Sequence, residues 1–431
     1  MKARRYRYKL LAFLLSLLFI ILALYGIYSI RRYGNRWFSS PDNPRLAELM
    51  SSVTPGSIAD RSGVILASTV DGRRLYQSDI RARSAVVHLL GDRDGRITDG
   101  VEQFHAGYLY GYRSSLHDAV LRLTRKNDTR MGNDIVLTVD SKLCTAIPDF
   151  FLSHTATAGK NGAVAVVNYL TGEIVASVSL PVFDPDNPDD SVPETAFRNK
   201  VTQMLYPAGG LTVLIKAACI SGKDGGDSDA YTDIVSLAAC AEPDANSLRA
   251  AAGAFCFDRS FPQKDLVITG SVYSGSSGSA MVTPIHMALL AASVAKGGSM
   301  PEPLLIQRVS SADGGNIYTS APAELCTVCA PAVADRLRSV MRNAVLYGDN
   351  ASDAAVTTMD ICGLTAVAAA DPDSVSSCCS WFIGFNAQYD LPFAVCVLTE
   401  GSDGSGTGNS TAALIAKDIF TYLRNHPYPN D

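Results

Sequence analysis

A run of 21 residues without a charge, Leu10 to Ile30, fixes the first element of this chain. As a helix rising ~1.5 Å per residue it spans ~30 Å, the hydrocarbon thickness of a bilayer. Lys2, Arg4, Arg5, Arg7 and Lys9 precede it, and Arg31, Arg32 and Arg36 follow. A short basic tail tends to stay in the cytoplasm. The expected layout is therefore a cytoplasmic tail (1–9), a signal-anchor helix (10–30) and an extracytoplasmic remainder. A cleaved signal peptide is the alternative, but its apolar core is only ~7–15 residues and ends at an A-x-A-like site. No later stretch is long and apolar enough for a second span.

The chain has 431 residues, more than one ordinary domain needs, and its 47% hydrophobic content suits a sizeable core. A formal net charge of −5 argues against a nucleic-acid partner. All ten cysteines follow residue 143. Cys326 and Cys329 form one CxxC, but no second pair or nearby histidine completes a zinc site. Buried free thiols are the simpler expectation, and neither a metal nor a cofactor is implied.

Residues 31–50 read as a linker with Pro41 and Pro44. Asp60-Arg61-Ser62-Gly63 sits between two short apolar runs, a hairpin pattern. Residues 31–135 form an expected small α+β pedestal, with a helical pattern over Ser115–Lys126. Residues 136–431 form a second domain. It opens with a strand-like run at Asp134–Asp140, a helix over Ser141–His154, and a hairpin whose arms are Ala163–Asn168 and Glu173–Leu180. The stretch 190–350 reads as mostly helical, with a flexible loop at Ser221–Asp227. Strand patterns return at Met359–Ala368, Ser380–Asn386 and Pro392–Thr399. A linker, Gly401–Gly408, leads to a helix from Ser410 to Asn425. Strands split by a long insert imply one mixed sheet beside a helical subdomain, an α+β fold.

Five segments in this order resemble class B penicillin-binding proteins. They are Gly56–Ala67, the hairpin Gly162–Ala176 with Pro181–Pro185, Val282–Ala288, Ala295–Gly298 and Trp381–Phe385. The short pedestal is similar to that of the small PbpA-type members. The resemblance implies a transpeptidase and serine β-lactamase-like domain: a five-stranded antiparallel sheet, flanking helices and a helical subdomain. It also implies acyl transfer by an S-x-x-K serine, completed by S-x-N and K-T-G motifs.

Those motifs are altered here. The approach Tyr206-Pro207-Ala208-Gly209 leads to Gly210 at the serine position and Val213 at the lysine position. No S-x-x-K follows this approach. Ser236-Leu237-Ala238 is the best match to the second motif, with Ala238 in place of asparagine. Leu364, Thr365 and Ala366 stand at K-T-G, so only the threonine remains. Thr212 and Lys216 are four apart and share a helix face, so a displaced nucleophile and base is an alternative to a threonine and lysine with structural roles. Cys219 and Cys362 are weaker stand-in nucleophiles that read better as packing residues, and His286 reads as structural. Thr269–Gly278 is glycine-rich but lacks the Gly-Lys-Ser/Thr of a phosphate loop; it aligns with a loop near the family's cleft. Asn409-Ser410-Thr411 matches a glycosylation sequon, which carries little weight in a bacterial chain.

The expectation is a catalytically inactive transpeptidase homologue, a scaffold or regulator of peptidoglycan synthesis in growth, division or sporulation. By resemblance its partner is a SEDS-type glycosyltransferase. The alternatives are an active D,D-transpeptidase using Thr212, and a module that binds stem peptide or muropeptide without reaction.

Overall fold

The structure, a computed structural model, describes residues 2–38, 44, 48, 52–92, 95–97, 99–111, 130–187, 192–223, 233–262, 264–274, 279–348, 350–369, 378–402 and 409–428. Helix α1 (Lys2–Phe38) contains one stretch, Tyr8–Ser29, long and apolar enough to cross a membrane. The helical pattern expected at Ser115–Lys126 lies outside the described residues.

The domain after α1 is organised around five antiparallel strands: β1 (Gly162–Asn168), β2 (Ile174–Leu180), β3 (Ile361–Ala369), β4 (Cys378–Asn386) and β5 (Phe393–Ser402). Their order is β3-β4-β5-β1-β2, so the early hairpin and the three late strands join in one sheet. Every residue of β4 is buried, so the sheet must be covered on both faces. Helices α2 (Ser141–Ser153) and α8 (Asn409–Asn425) pack on one side and α6 (Pro284–Ala295) on the other.

Helix α6 shows how local sequence sets this up. Thr283 caps it by accepting from the His286 amide, and Pro284 occupies the first turn, where a missing N–H costs nothing. All twelve of its residues are buried, so the helix is apolar on every side.

The Asp60–Gly63 turn does join two strands, Ile58–Ala59 and Ile65–Val70. Asp60 accepts from the Ser62 and Val64 amides at 2.9 and 2.8 Å, and Gly63 supplies the left-handed residue with φ +82°. The other carboxylate oxygen accepts from Ser141 Oγ at 2.6 Å, tying the hairpin to the start of α2. Asp60 is buried with its oxygens satisfied, so it costs little to bury.

The stretch 190–350 departs from the helical expectation. It holds α3 (Val213–Lys223), α4 (Ile234–Ala239), α5 (Ala245–Ala254), α6 and α7 (Pro331–Tyr347), but also short strands such as Val272–Ser274, Ile306–Ser310, Asn316–Thr319 and Glu324–Thr327. Segments of three to five residues are too short to show a period against alanine-rich surroundings. Ser221, Gly222 and Lys223 are helical rather than loop, because α3 continues through them; 224–232 lie outside the described residues. Ile306–Ser310 and Asn316–Thr319 join a six-stranded sheet with Asp134–Leu137 and the strands from Ile58 to Tyr76.

Candidate active site

The cleft lies where the start of α3 meets the edge strand β3. Trp381 on β4 donates from Nε1 to Pro207 O at 2.9 Å, pinning the approach segment to the sheet. The Tyr206 ring packs edge-on against the same indole, 6.2 Å between centroids. Tyr206 Oη donates to Glu400 at 2.7 Å, and Lys200 bonds the other oxygen of that carboxylate, also at 2.7 Å. Burial and the Glu400 charge both push the Tyr206 hydroxyl well above the usual phenol range, so it remains a donor.

Gly209 then turns the chain with φ +55°. A Cβ there would lie 2.8 Å from Val367 O, so backbone and space both require glycine. Gly210 is different. It lacks a positive φ, and a Cβ on it would meet only Ala366 Cβ at 3.6 Å, an ordinary contact. Residues 209–212 form a 3-10 turn that runs into α3.

A cleft of about 440 Å³ opens in front of this turn. Gly210, Thr212, Val213 and Lys216 form its α3 side, and Leu364 and Thr365 its β3 side. Six of the positions singled out by sequence therefore converge. Ala366 stands behind, buried and facing Gly210. The far walls come from Ile234, Glu242, Leu248 and Tyr273. Sequence reasoning missed these four: they come from separate segments and share no local pattern. Tyr273 alone lay in a segment already aligned to the cleft.

Ser236 and Ala238 lie in α4, and Ser236 does not line the cleft. Ser236 completes a capping box with Asp233: its amide donates to Asp233 Oδ1 at 2.7 Å and its Oγ accepts from the Asp233 amide at 3.1 Å. The Ser236 amide, and its hydroxyl donating to Asp233 Oδ1 at 2.8 Å, hold the Asp233 carboxyl below its ordinary value.

Thr212 and Lys216 share the cleft but not a hydrogen bond. Thr212 Oγ1 donates back to Gly209 O at 3.2 Å. Lys216 Nζ donates to Cys240 O at 3.2 Å and lies 2.8 Å from Glu242 Oε2. An activated hydroxyl needs a base within hydrogen-bond reach, and here the lysine is directed at the opposite wall.

The other stand-ins are packed away. Cys362 is buried, and burial pushes its thiol up to about 12, so it holds no nucleophilic thiolate at neutral pH. Cys219 is buried in α3. His286 is fully buried between Ser271 and Phe255. A carbonyl only accepts, so Nε2 carries the proton given to Phe255 O at 2.8 Å, and Nδ1 accepts from Ser271 Oγ at 2.6 Å. Burial lowers its pKa to about 4, so it is neutral at pH 7. It cross-braces α6 against two loops.

Comparison with known proteins agrees with this architecture. Residues 256–421 match the family model "Penicillin binding protein transpeptidase domain". The "Probable peptidoglycan D,D-transpeptidase PenA" of Neisseria flavescens is 33% identical over 156 residues, 36% of this chain and 34% of that protein. The "Peptidoglycan D,D-transpeptidase MrdA" of Escherichia coli K12 is 29% identical over 154 residues, 32% of this chain and 22% of that protein. The chain thus spans about a quarter to a third of the length of these curated relatives. Penicillin-binding protein A from M. tuberculosis, solved as a ceftriaxone acyl-enzyme complex, superposes with a TM-score of 0.74 at 22% identity, covering 87% of this chain and 99% of that one. The D,D-transpeptidase domain of a peptidoglycan glycosyltransferase from Eggerthella lenta gives 0.66 at 21% identity, covering 87% and 99%. The five-stranded sheet, the cleft at its edge and these matches lead to one conclusion: the chain carries a penicillin-binding-protein transpeptidase domain and has the class B penicillin-binding-protein fold.

Proposed function

We propose that this chain is a membrane-anchored, catalytically silent penicillin-binding-protein homologue that works in peptidoglycan synthesis as a scaffold or regulator. One observation carries the reading. Gly210, which has no side chain, occupies the turn at the mouth of the cleft where the resemblance expects the nucleophile. Val213 and Leu364 remove the two expected cations from the same cleft. Helix α1 anchors the chain, with the basic tail inside and the domain outside. Its helix and pedestal offer the contact surface for a wall-synthesis partner, by resemblance a SEDS-type glycosyltransferase.

The test is intact-mass spectrometry of the full-length chain in detergent after incubation with excess penicillin. No adduct on folded protein is the expected result. An adduct overturns the reading, and peptide mapping then locates the nucleophile, with Thr212 first in line.

The open cleft favours a second reading, a module that holds stem peptide without reaction. Thr212, Thr365, Lys216 and Glu242 offer polar contacts among apolar walls. Titration of stem peptide without saturable binding removes that reading and leaves the first intact.

A further inference from the structure

We propose that Cys256 and Cys326 are a disulfide-forming pair that bolts the cleft's helical wall to the strand behind it. The two sulfurs are 70 positions apart in sequence and 2.7 Å apart in space, closer than two sulfurs rest in ordinary packing. Cys256 follows α5, the helix that brings Leu248 to the cleft. Cys326 lies on Glu324–Thr327, paired through Met300 with the strand that follows α6.

The backbone presents Cys256 deliberately. Its φ is +63°, a left-handed conformation uncommon for a residue with a side chain. Neighbouring bonds hold it there: Phe257 donates its amide to Ala252 O at 3.1 Å, and Asp258 donates to Ser271 O at 2.8 Å. Phe255, one residue earlier, accepts from His286. The turn is thus braced on both sides of the thiol. The two thiols share one hydrogen bond, so the first proton lost from the pair leaves a thiolate that the remaining S–H steadies while the second proton is held back, and Arg259 favours that first loss. Thiolate character is what exchange chemistry needs.

Cys326 is the more exposed of the two and is the entry point. Its thiolate attacks one sulfur of a low-molecular-weight disulfide such as oxidised glutathione. The external S–S bond breaks and one glutathione leaves as a thiolate. Cys256 Sγ then attacks Cys326 Sγ in the mixed disulfide, the new S–S bond forms, and the second glutathione leaves. The two protein protons pass to the two departing thiolates. The external disulfide gains two electrons and the protein pair loses two.

The pair's exposure to an oxidising compartment rests on the extracytoplasmic placement proposed above. The chemistry of the pair does not, so the test is made on purified full-length chain in detergent. The chain is equilibrated in excess oxidised glutathione, quenched in acid, unfolded, alkylated with N-ethylmaleimide and mapped by mass spectrometry. The expected product is one linked peptide joining Cys256 and Cys326, with Cys144, Cys362 and Cys396 alkylated. Cys256→Ser should leave Cys326 as a glutathione mixed disulfide, and Cys329→Ser should leave the bridge unchanged. Reduction should lower Tm by several degrees in the wild type and leave the Tm of Cys326→Ser unmoved. Alkylation of both Cys256 and Cys326 under oxidising conditions overturns the proposal, as does a bridge from Cys326 to Cys329.

Discussion

The approach segment Tyr206–Gly209 and the turn Gly210–Val213 adjoin each other on one edge of the sheet, yet they are held very differently. Upstream, each residue has a partner that specifies it. Tyr206 has Glu400, Pro207 has Trp381, and Gly209 sits in a left-handed conformation against Val367 O. Downstream, Gly210 faces free space beyond Ala366 Cβ, Thr212 bonds only its own turn, and Val213 projects into the cleft. The approach segment is fixed by its partners, and the turn that follows it is not; the packing at 210 neither requires a side chain nor excludes a small one.

The strongest way to break this contrast is to refill the site. Gly210→Ser with Val213→Lys and Leu364→Lys places in the cleft the three groups that the resemblance expects there. A penicillin adduct absent from the wild type should appear in the triple variant by intact mass. Continued silence on folded protein would mean that the walls, rather than the three positions, exclude the chemistry.

The second test concerns pH. His286 and His88 are both buried and neutral, each with a pKa lowered to about 4 by burial. The unfolded chain binds these protons near the ordinary histidine value of ~6.5, and the folded chain does not. Stability should therefore be intact above pH ~6.5 and fall as pH drops toward 4, by up to ~3 kcal/mol per histidine. Urea midpoints between pH 7.5 and 5 measure it. A flat profile would show that burial of these rings is incomplete in solution.

The third test compares the two glycines directly. Gly209→Ala meets a positive φ and a carbonyl at 2.8 Å, and should cost ~2 kcal/mol or more. Gly210→Ala should change stability by no more than ~0.5 kcal/mol. Equal costs in urea unfolding would erase the distinction. The smallest expected effect belongs to Thr212→Ala, whose hydroxyl makes one bond to its own turn; its Tm should match the wild type within ~1 °C.

Elements with a strong period or an explicit turn were legible in sequence. The Asp60–Gly63 turn, the hairpin β1–β2 and helix α8 stand close to their expected positions because each carries its pattern within a dozen residues. Helix α6 was legible only through the resemblance of Val282–Ala288, and its cap at Thr283 and Pro284 is the local signal beneath that resemblance. Ser236 was harder. Its spacing from Asp233 is also a capping signal, and the capping role is the one the structure gives it. Glu242 and Leu248 reach the cleft from segments whose meeting depends on the whole domain, and the Cys256–Cys326 contact joins residues with no local relation. Such convergence is decided by packing and leaves no trace in a window of sequence.

The six-stranded sheet has a consequence for how the chain is made. Ile306–Ser310 lies between Asn316–Thr319 and Asp134–Leu137, so that sheet cannot be completed until residue 319 has been synthesised. Asp134–Leu137, which covers the edge of Ile58–Ala59, must itself wait with an open edge while residues 138–305 emerge. Such non-local pairing is slow and leaves strand edges exposed to wrong partners. Premature termination anywhere between residues 135 and 305 would release a half-built sheet, and quality control would meet it as an aggregation-prone fragment rather than as a small folded module.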